Sequence, residues 1–226
     1  MALILGIETS TETCSVALGL NGICIAIKKL PIPNGHASLL HNLVNEVFSE
    51  TNYSLHNLDA IAISIGPGSY TGLRVGVSSV KGFAFALNIP VIAVNTLQSL
   101  AAHFIELFPI NDSLLVPMID ARRMEVYTAV YHTNLIVNQE TNAQIISESS
   151  FLQLLKNNKL AIFGNGSEKC KSVITHPNAS FFANVDCCAS GLISIAQKRF
   201  SQNEFVNLAY FEPFYLKDFI PTTPKK

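Results

Sequence analysis

Charge is scarce in this sequence, cysteine is unpatterned and long apolar runs are missing. Charged residues are 14% of 226 and the formal net charge is -1. A protein that binds nucleic acid unaided needs a basic surface to displace counterions, so that class is not expected. The five cysteines (14, 24, 170, 187 and 188) are odd in number and include no Cys-x-x-Cys. That argues against a disulfide framework and a zinc site alike. Reduced thiols, and with them a cytoplasmic setting, are expected. Met1 to Ile7 is too short for a signal peptide, lacks a basic start and meets Glu8 at once. No apolar run reaches membrane-spanning length. No two histidines stand four apart, and His36 and His41, five apart, do not share a helical face. No metal site is therefore assigned. Gly-x-Ser-x-Gly is absent, and no nucleophile–base spacing supports a peptidase. Gly66-x-Gly68 is followed by Gly72, one residue too late for a dinucleotide fingerprint.

What is present centres on residues 61–87. Ile61, Ile63 and Ile65 alternate with small residues, as a buried strand requires. Gly66-Pro67-Gly68 ends it, and Ser69 or Thr71 can cap the helix that follows. On that helix Leu73, Val77, Val80, Ala84 and Leu87 share an apolar face, and Arg74, Ser78 and Lys81 a polar one. Between them Gly72, Gly76 and Ser79 form a stripe almost without side chains. Gly72, Gly76 and Gly82 each cost roughly 1 kcal/mol against alanine, so close packing must offset them. Either the helix lies tight on its own sheet, or another helix lies against the stripe.

Elsewhere, strands are expected at 3–7, 14–20 and 23–29, with a hairpin turn at Asn21-Gly22. A loop at 31–35 precedes an amphipathic helix at 36–50 carrying Leu39, Leu40, Leu43, Val44, Val47 and Phe48. A strand at 89–94 and a helix from Asn95-Thr96 to about 108 complete residues 1–110 as one subdomain. The second, 111–220, opens with a strand at 114–119, a turn at Asp120–Arg123 and a returning strand at 125–131. An edge strand at 144–146, a short helix at 150–157 and a strand at 160–163 follow. Gly164–Ser167 leads into a helix, and Asp186 caps a last helix at 187–200. Residues 221–226 read as a disordered tail. Both halves begin alike, with an apolar strand, an acidic turn and a strand back. Turns after strands can cradle phosphate with convergent backbone N–H groups. Glu8, Thr9 and Ser10, then Asp120, then Gly164 and Gly166, are thus the candidate residues of an ancestral nucleotide cleft between the halves.

Ile4-Leu-Gly-Ile-Glu-Thr-Ser10, Gly66-Pro-Gly-Ser-Tyr-Thr-Gly-Leu-Arg-Val-Gly76 with Lys81-Gly82, and Ile119-Asp-Ala-Arg-Arg-Met-Glu-Val-Tyr127 resemble the bacterial TsaB (YeaZ) family. Pro213-Phe-Tyr-Leu-Lys217 is similar to its Pro-x-Tyr-Leu-Arg ending, with lysine for arginine. The resemblance implies an α/β, actin-like (ASKHA, ribonuclease H-like) duplicated fold. It implies a non-catalytic partner of TsaD in making N6-threonylcarbamoyladenosine beside the anticodon of tRNAs reading codons that start with A. TsaE joins the complex, and tRNA is met only through it. Alone, such a protein forms a homodimer through the surface TsaD also uses. No intrinsic cofactor is implied, with ATP or ADP placed at the complex interface. The metal segment of TsaD aligns with Val94–Leu100, where its histidines are replaced by Thr96 and Leu100, a departure that marks the nucleotide cleft as degenerate. The partner surface expected from the helices at 36–50 and 71–87 comprises Leu40, Val44, Val47, Tyr70, Gly72, Arg74, Val75, Gly76, Ser79 and Phe83. The rival reading is a small actin-like ATPase or kinase, with Glu8 and Asp120 positioning a metal–nucleotide.

Overall fold

The structure, a computed structural model, describes residues 1–31 and 36–217. Most of the 31–35 loop and the 221–226 tail lie outside them. The first sheet begins as a meander of β1 (Leu3–Glu8), β2 (Thr13–Leu20) and β3 (Ile23–Pro31). Then come α1 (His36–Ser49), β4 (Ala60–Ser64), α2 (Tyr70–Leu87), β5 (Val91–Val94) and α3 (Thr96–Leu107). The second sheet comprises β6 (Leu114–Asp120), β7 (Glu125–Tyr131), β8 (Val137–Ile145), β9 (Leu160–Phe163) and β10 (Ala179–Phe182). The short α4 (Leu152–Leu155) precedes β9, and α5 (Ser190–Ser201) follows β10.

The strand order is β3-β2-β1-β4-β5 in one sheet and β8-β7-β6-β9-β10 in the other. Each has an antiparallel meander continued by two parallel strands. In β1, Leu5 faces Leu18 on one side and Ile61 on the other. Leu3, Leu5 and Ile7 point into a core under α1 and α2, whereas Ala2 and Ile4 point into a core under α5. Period-two alternation thus serves two cores at once, and for that reason β1 reads as continuously apolar.

The helices do not respect the division between the sheets. From the second half, α5 lays Leu192, Ile193 and Ala196 on the first sheet, each side chain buried. Gly19 permits this, since a Cβ there would stand 2.3 Å from Ile193. Conversely α3, from the first half, packs Leu97, Leu100 and Phe104 on the second sheet, with Phe104 stacked 4.0 Å from Phe163. Each fully buried leucine or isoleucine contributes roughly 1.5–3 kcal/mol. The exchange therefore welds the halves together.

Four local expectations change. The edge strand at 144–146 is a nine-residue β8, paired along its length with β7. β10 has no counterpart in the sequence reading. After Gly164–Ser167 only a 3-10 turn, Glu168–Cys170, forms. Asp186 does not cap α5, which starts at Ser190 after an uncapped Ala189. Ser69, not Thr71, caps α2 by accepting from Gly72 N at 3.3 Å.

Candidate functional site

Glu8 ends β1, and the chain turns through Thr9, Ser10 and Thr11. All four residues are buried. Glu8 Oε1 accepts from Ser10 N and from Ser64 Oγ, both at 2.7 Å. Its Oε2, with Thr9 Oγ1 and Ser10 Oγ, is buried without a hydrogen-bond partner. Burial pushes the Glu8 carboxyl above the usual carboxylate range, against the pull of the hydrogen bonds from Ser10 and Ser64. Burial, then the nearby Glu8 carboxyl, pushes the Cys14 thiol up to about 12. The same two causes, in that order, raise Cys187 well above its ordinary value. These thiols are packing groups rather than nucleophiles.

The cover over this turn is the chain's own loop at 66–69 and the start of α2. Ser69 N donates to Ser10 O at 2.6 Å. A Cβ on Gly68 would stand 2.3 Å from Ser10 O, one on Gly72 2.1 Å from Thr9 O, and one on Gly76 2.3 Å from Thr9 Oγ1. The glycines in the loop and the first turns of α2 therefore exist to let helix and turn touch. Helix and loop thus close Glu8, Thr9 and Ser10, candidates for a degenerate nucleotide cleft, off from solvent. The same contact settles the two readings of the stripe: Gly72 and Gly76 face their own sheet, not a partner.

In the second lobe the corresponding turn stays open. Asp120 N donates to Asn165 Oδ1 at 3.0 Å, Asp120 Oδ1 accepts from Arg122 N at 3.1 Å, and Lys169 pairs with the same carboxylate. Gly164 (φ +104°) and Gly166 sit against the end of β6, where Cβ atoms would meet Met118 O at 2.2 Å and Ile119 C at 2.8 Å. So Asp120, Gly164 and Gly166 do come together, with Asp120 engaged by Asn165, Arg122 and Lys169, Gly166 N donating to Met118 O and Gly164 O accepting from Ser167 N. Arg122 (φ 70°) and Arg123 (φ 49°) hold the turn in the left-handed region, which hinders the glycine-like close approach a phosphate requires. Between the two turns stands α3. Thr96 Oγ1 accepts from Gly66 N at 3.0 Å, and Leu100 is buried against the second sheet. Thr96 thus holds a loop and Leu100 a core. Among the described residues no three His, Cys, Asp or Glu side chains gather as a metal site. Ser190, His103 and Glu106 cluster, yet Ser190 Oγ (2.9 Å) and Glu106 Oε2 (3.3 Å) approach the same ring atom, Nδ1. A hydrolytic relay uses opposite nitrogens, so this is no triad.

The helical surface also needs redrawing. Leu40, Val44 and Val47 are buried in the core under the first sheet and cannot meet a partner. Tyr70 stacks on Tyr215 at 4.7 Å, and Arg74 lies over Tyr70 and donates to Tyr215 Oη at 3.3 Å. Val75, Ser79 and Phe83 remain half-buried, and the Phe83 ring centroid lies 5.3 Å from that of His41 on α1. Val75, Ser79, Gly82 and Ala86 form a smooth ridge about one-sixth of a turn from the predicted stripe, sharing Ser79 with it, and on this ridge Gly82 and Ala86 are exposed. A Cβ on Gly82 would meet nothing within 4 Å. Phe85, 81% exposed, was missed by the sequence reading. The signal was there: a phenylalanine on the Arg74–Ser78–Lys81 polar stripe.

Two sheets of identical strand order, coupled through exchanged helices, define an actin-like α/β protein. The activator of 2-hydroxyisocaproyl-CoA dehydratase from Clostridium difficile, solved with bound ADPNP, shares that fold over 91% of this chain and 98% of its own (TM-score 0.54, 9% identity). Residues 33–223 match the family model TsaD: tRNA N6-adenosine threonylcarbamoyltransferase. The TsaB protein of Bacillus subtilis is 34% identical over 68% of this chain and 66% of its own. That of Haemophilus influenzae is 28% identical over 95% and 93%. YeaZ from Pseudomonas aeruginosa superposes with a TM-score of 0.80 at 29% identity, covering 96% of this chain and 100% of that one. The chain belongs to the TsaD family and, within it, to the TsaB (YeaZ) group, which takes part in tRNA threonylcarbamoyladenosine biosynthesis.

Proposed function

We propose that this chain is the non-catalytic subunit of the threonylcarbamoyl-transferring assembly. It binds and activates a TsaD catalytic subunit, with TsaE, for modification of the adenosine beside the anticodon. The observation that carries this reading is the covered turn at Glu8–Thr11: the place where an actin-like enzyme would work on a nucleotide is filled by the chain's own helix and loop. Thr96 and Leu100, committed to packing, support it further. On this reading ATP or ADP belongs to the surface shared with the catalytic subunit, and tRNA is met through the complex in the cytoplasm. The contact surface is the ridge Val75–Ser79–Gly82–Ala86 with Phe83, Phe85 and the polar outer face of α1. Alone, the same ridge pairs with a second copy.

Light scattering tests this with the chain alone and mixed with the TsaD homologue from the same cell. A homodimer giving way to a one-to-one heterodimer is the expected result, and Gly82→Arg should abolish both without unfolding the chain. A monomer indifferent to TsaD, or a Gly82→Arg variant that still binds it, would overturn the assignment. Gly76 is unsuitable for such a test, because any side chain there strikes Thr9.

A further inference from the structure

After α5 the chain runs from Gln202 to Lys217 without a helix, and not one of these residues is buried. It is nonetheless held at defined points. Val206 bridges to Val91 at the edge of the first sheet. Lys81 donates to Ala209 O at 3.2 Å and lies 4.9 Å from the Phe211 ring. Phe214 N donates to Ile65 O at 2.7 Å, and the Phe214 carbonyl fills the space a Cβ on Gly66 would need. Tyr215 meets Tyr70 and Arg74 at the start of α2. Lys217 then pairs with Glu125 on the other lobe.

The last stretch, 213–217, therefore touches two things at once. One is the 65–70 segment that covers the Glu8–Thr11 turn. The other is the β6–β7 hairpin, which carries the second lobe's turn. From inside, the cover is held by Thr96, whose N–H donates to Gly66 O at 2.8 Å. From outside, the terminal strap holds it. We propose that residues 213–217 act as an outer bolt across the cleft: releasing Tyr215 and Lys217 lets the 66–69 loop lift from the turn at Ser10, while the exchanged helices keep the two sheets together. A segment with no fully buried residue, held by a few contacts, opens at lower free energy than the cores it lies on. The bolt is thus the part of the molecule that moves first.

Hydrogen exchange on the full-length protein tests the bolt. In Tyr215→Ala combined with Lys217→Ala, the amides of Ser10 and Ser69 should exchange about tenfold faster, with those of Leu115, Val116, Met118 and Ile119 in β6 unchanged. Should the double variant fail to fold, Lys217→Ala alone carries the same measurement. Thiol labelling read by peptide mass spectrometry adds a second readout: Cys187, beside the covered turn, should label faster while Cys170, buried in the second lobe, does not. Unchanged exchange at Ser10 and Ser69 would overturn the proposal. So would equal acceleration in β6, or equal labelling of the two thiols, because either means global loosening.

Discussion

The two lobes carry the same strand order and the same turn after their first strand, yet they treat that turn in opposite ways. In the first lobe Glu8–Thr11 is buried beneath a long helix, and its glycines face inward from that helix. In the second, Asp120–Arg123 is open, no long helix among the described residues covers it, and arginines stand in left-handed conformations. The comparison teaches that a duplicated framework can keep its sheet topology while the turn after the first strand is a packing surface in one copy and open in the other. The cost of packing a polar turn is visible as unpartnered buried oxygens at Glu8, Thr9 and Ser10.

If the first turn is packing, its contacts should be the least tolerant. Gly72→Ala places a methyl 2.1 Å from a backbone oxygen and should cost about 3 kcal/mol in chemical denaturation, at the upper end of overpacking. Gly166→Ala in the second lobe, with its nearest atom at 2.8 Å, should cost less, about 1–2 kcal/mol. Equal losses would break the contrast between the lobes.

Much of this was legible beforehand. The strand 61–65, the capped helix after it and the meander 3–29 follow from alternation, from Gly-Pro-Gly and from Asn-Gly. The direction of the glycine stripe was not, because periodicity says which residues share a face but not what that face meets. Leu40, Val44 and Val47 were misread for the same reason: an apolar stripe on a helix signals burial, and only the fold says in which core. The length of β8 was hidden because Asn138, Gln139 and Glu140 are polar, as an exposed edge strand permits. The capping role assigned to Asp186 failed because the chain remains irregular through Cys187 and Cys188.

Thr96→Val removes the acceptor for Gly66 N and should cost about 1–3 kcal/mol, since a buried donor loses its partner. The Glu8 carboxyl gives the first lobe a pH signature. Its folded-state pKa lies above its unfolded value near 4.5, so the folded protein holds the extra proton. Stability from this group is present at low pH and falls as pH rises through the raised folded value. Glu8→Gln should flatten that decline in urea titrations run across pH, and a variant that keeps the wild-type slope would place the proton elsewhere. Asp120→Asn, in contrast, removes a partly exposed pair with Lys169 and should change stability by less than about 1 kcal/mol. Smallest of all, Gly82→Ala should stabilise by up to about 1 kcal/mol, opposite in sign to its neighbour Gly72 on the same helix.

The exchange of α3 and α5 between the sheets has a consequence for synthesis. One face of the first sheet, with Ala2, Ile4 and Ala62, stays bare until Leu192, Ile193 and Ala196 arrive. The chain as far as α5 must therefore leave the ribosome before the strands of the first sheet can bury that face. The first half to emerge is the last to be finished, and until then its exposed face is a ready target for chaperones or for misassembly with another nascent chain.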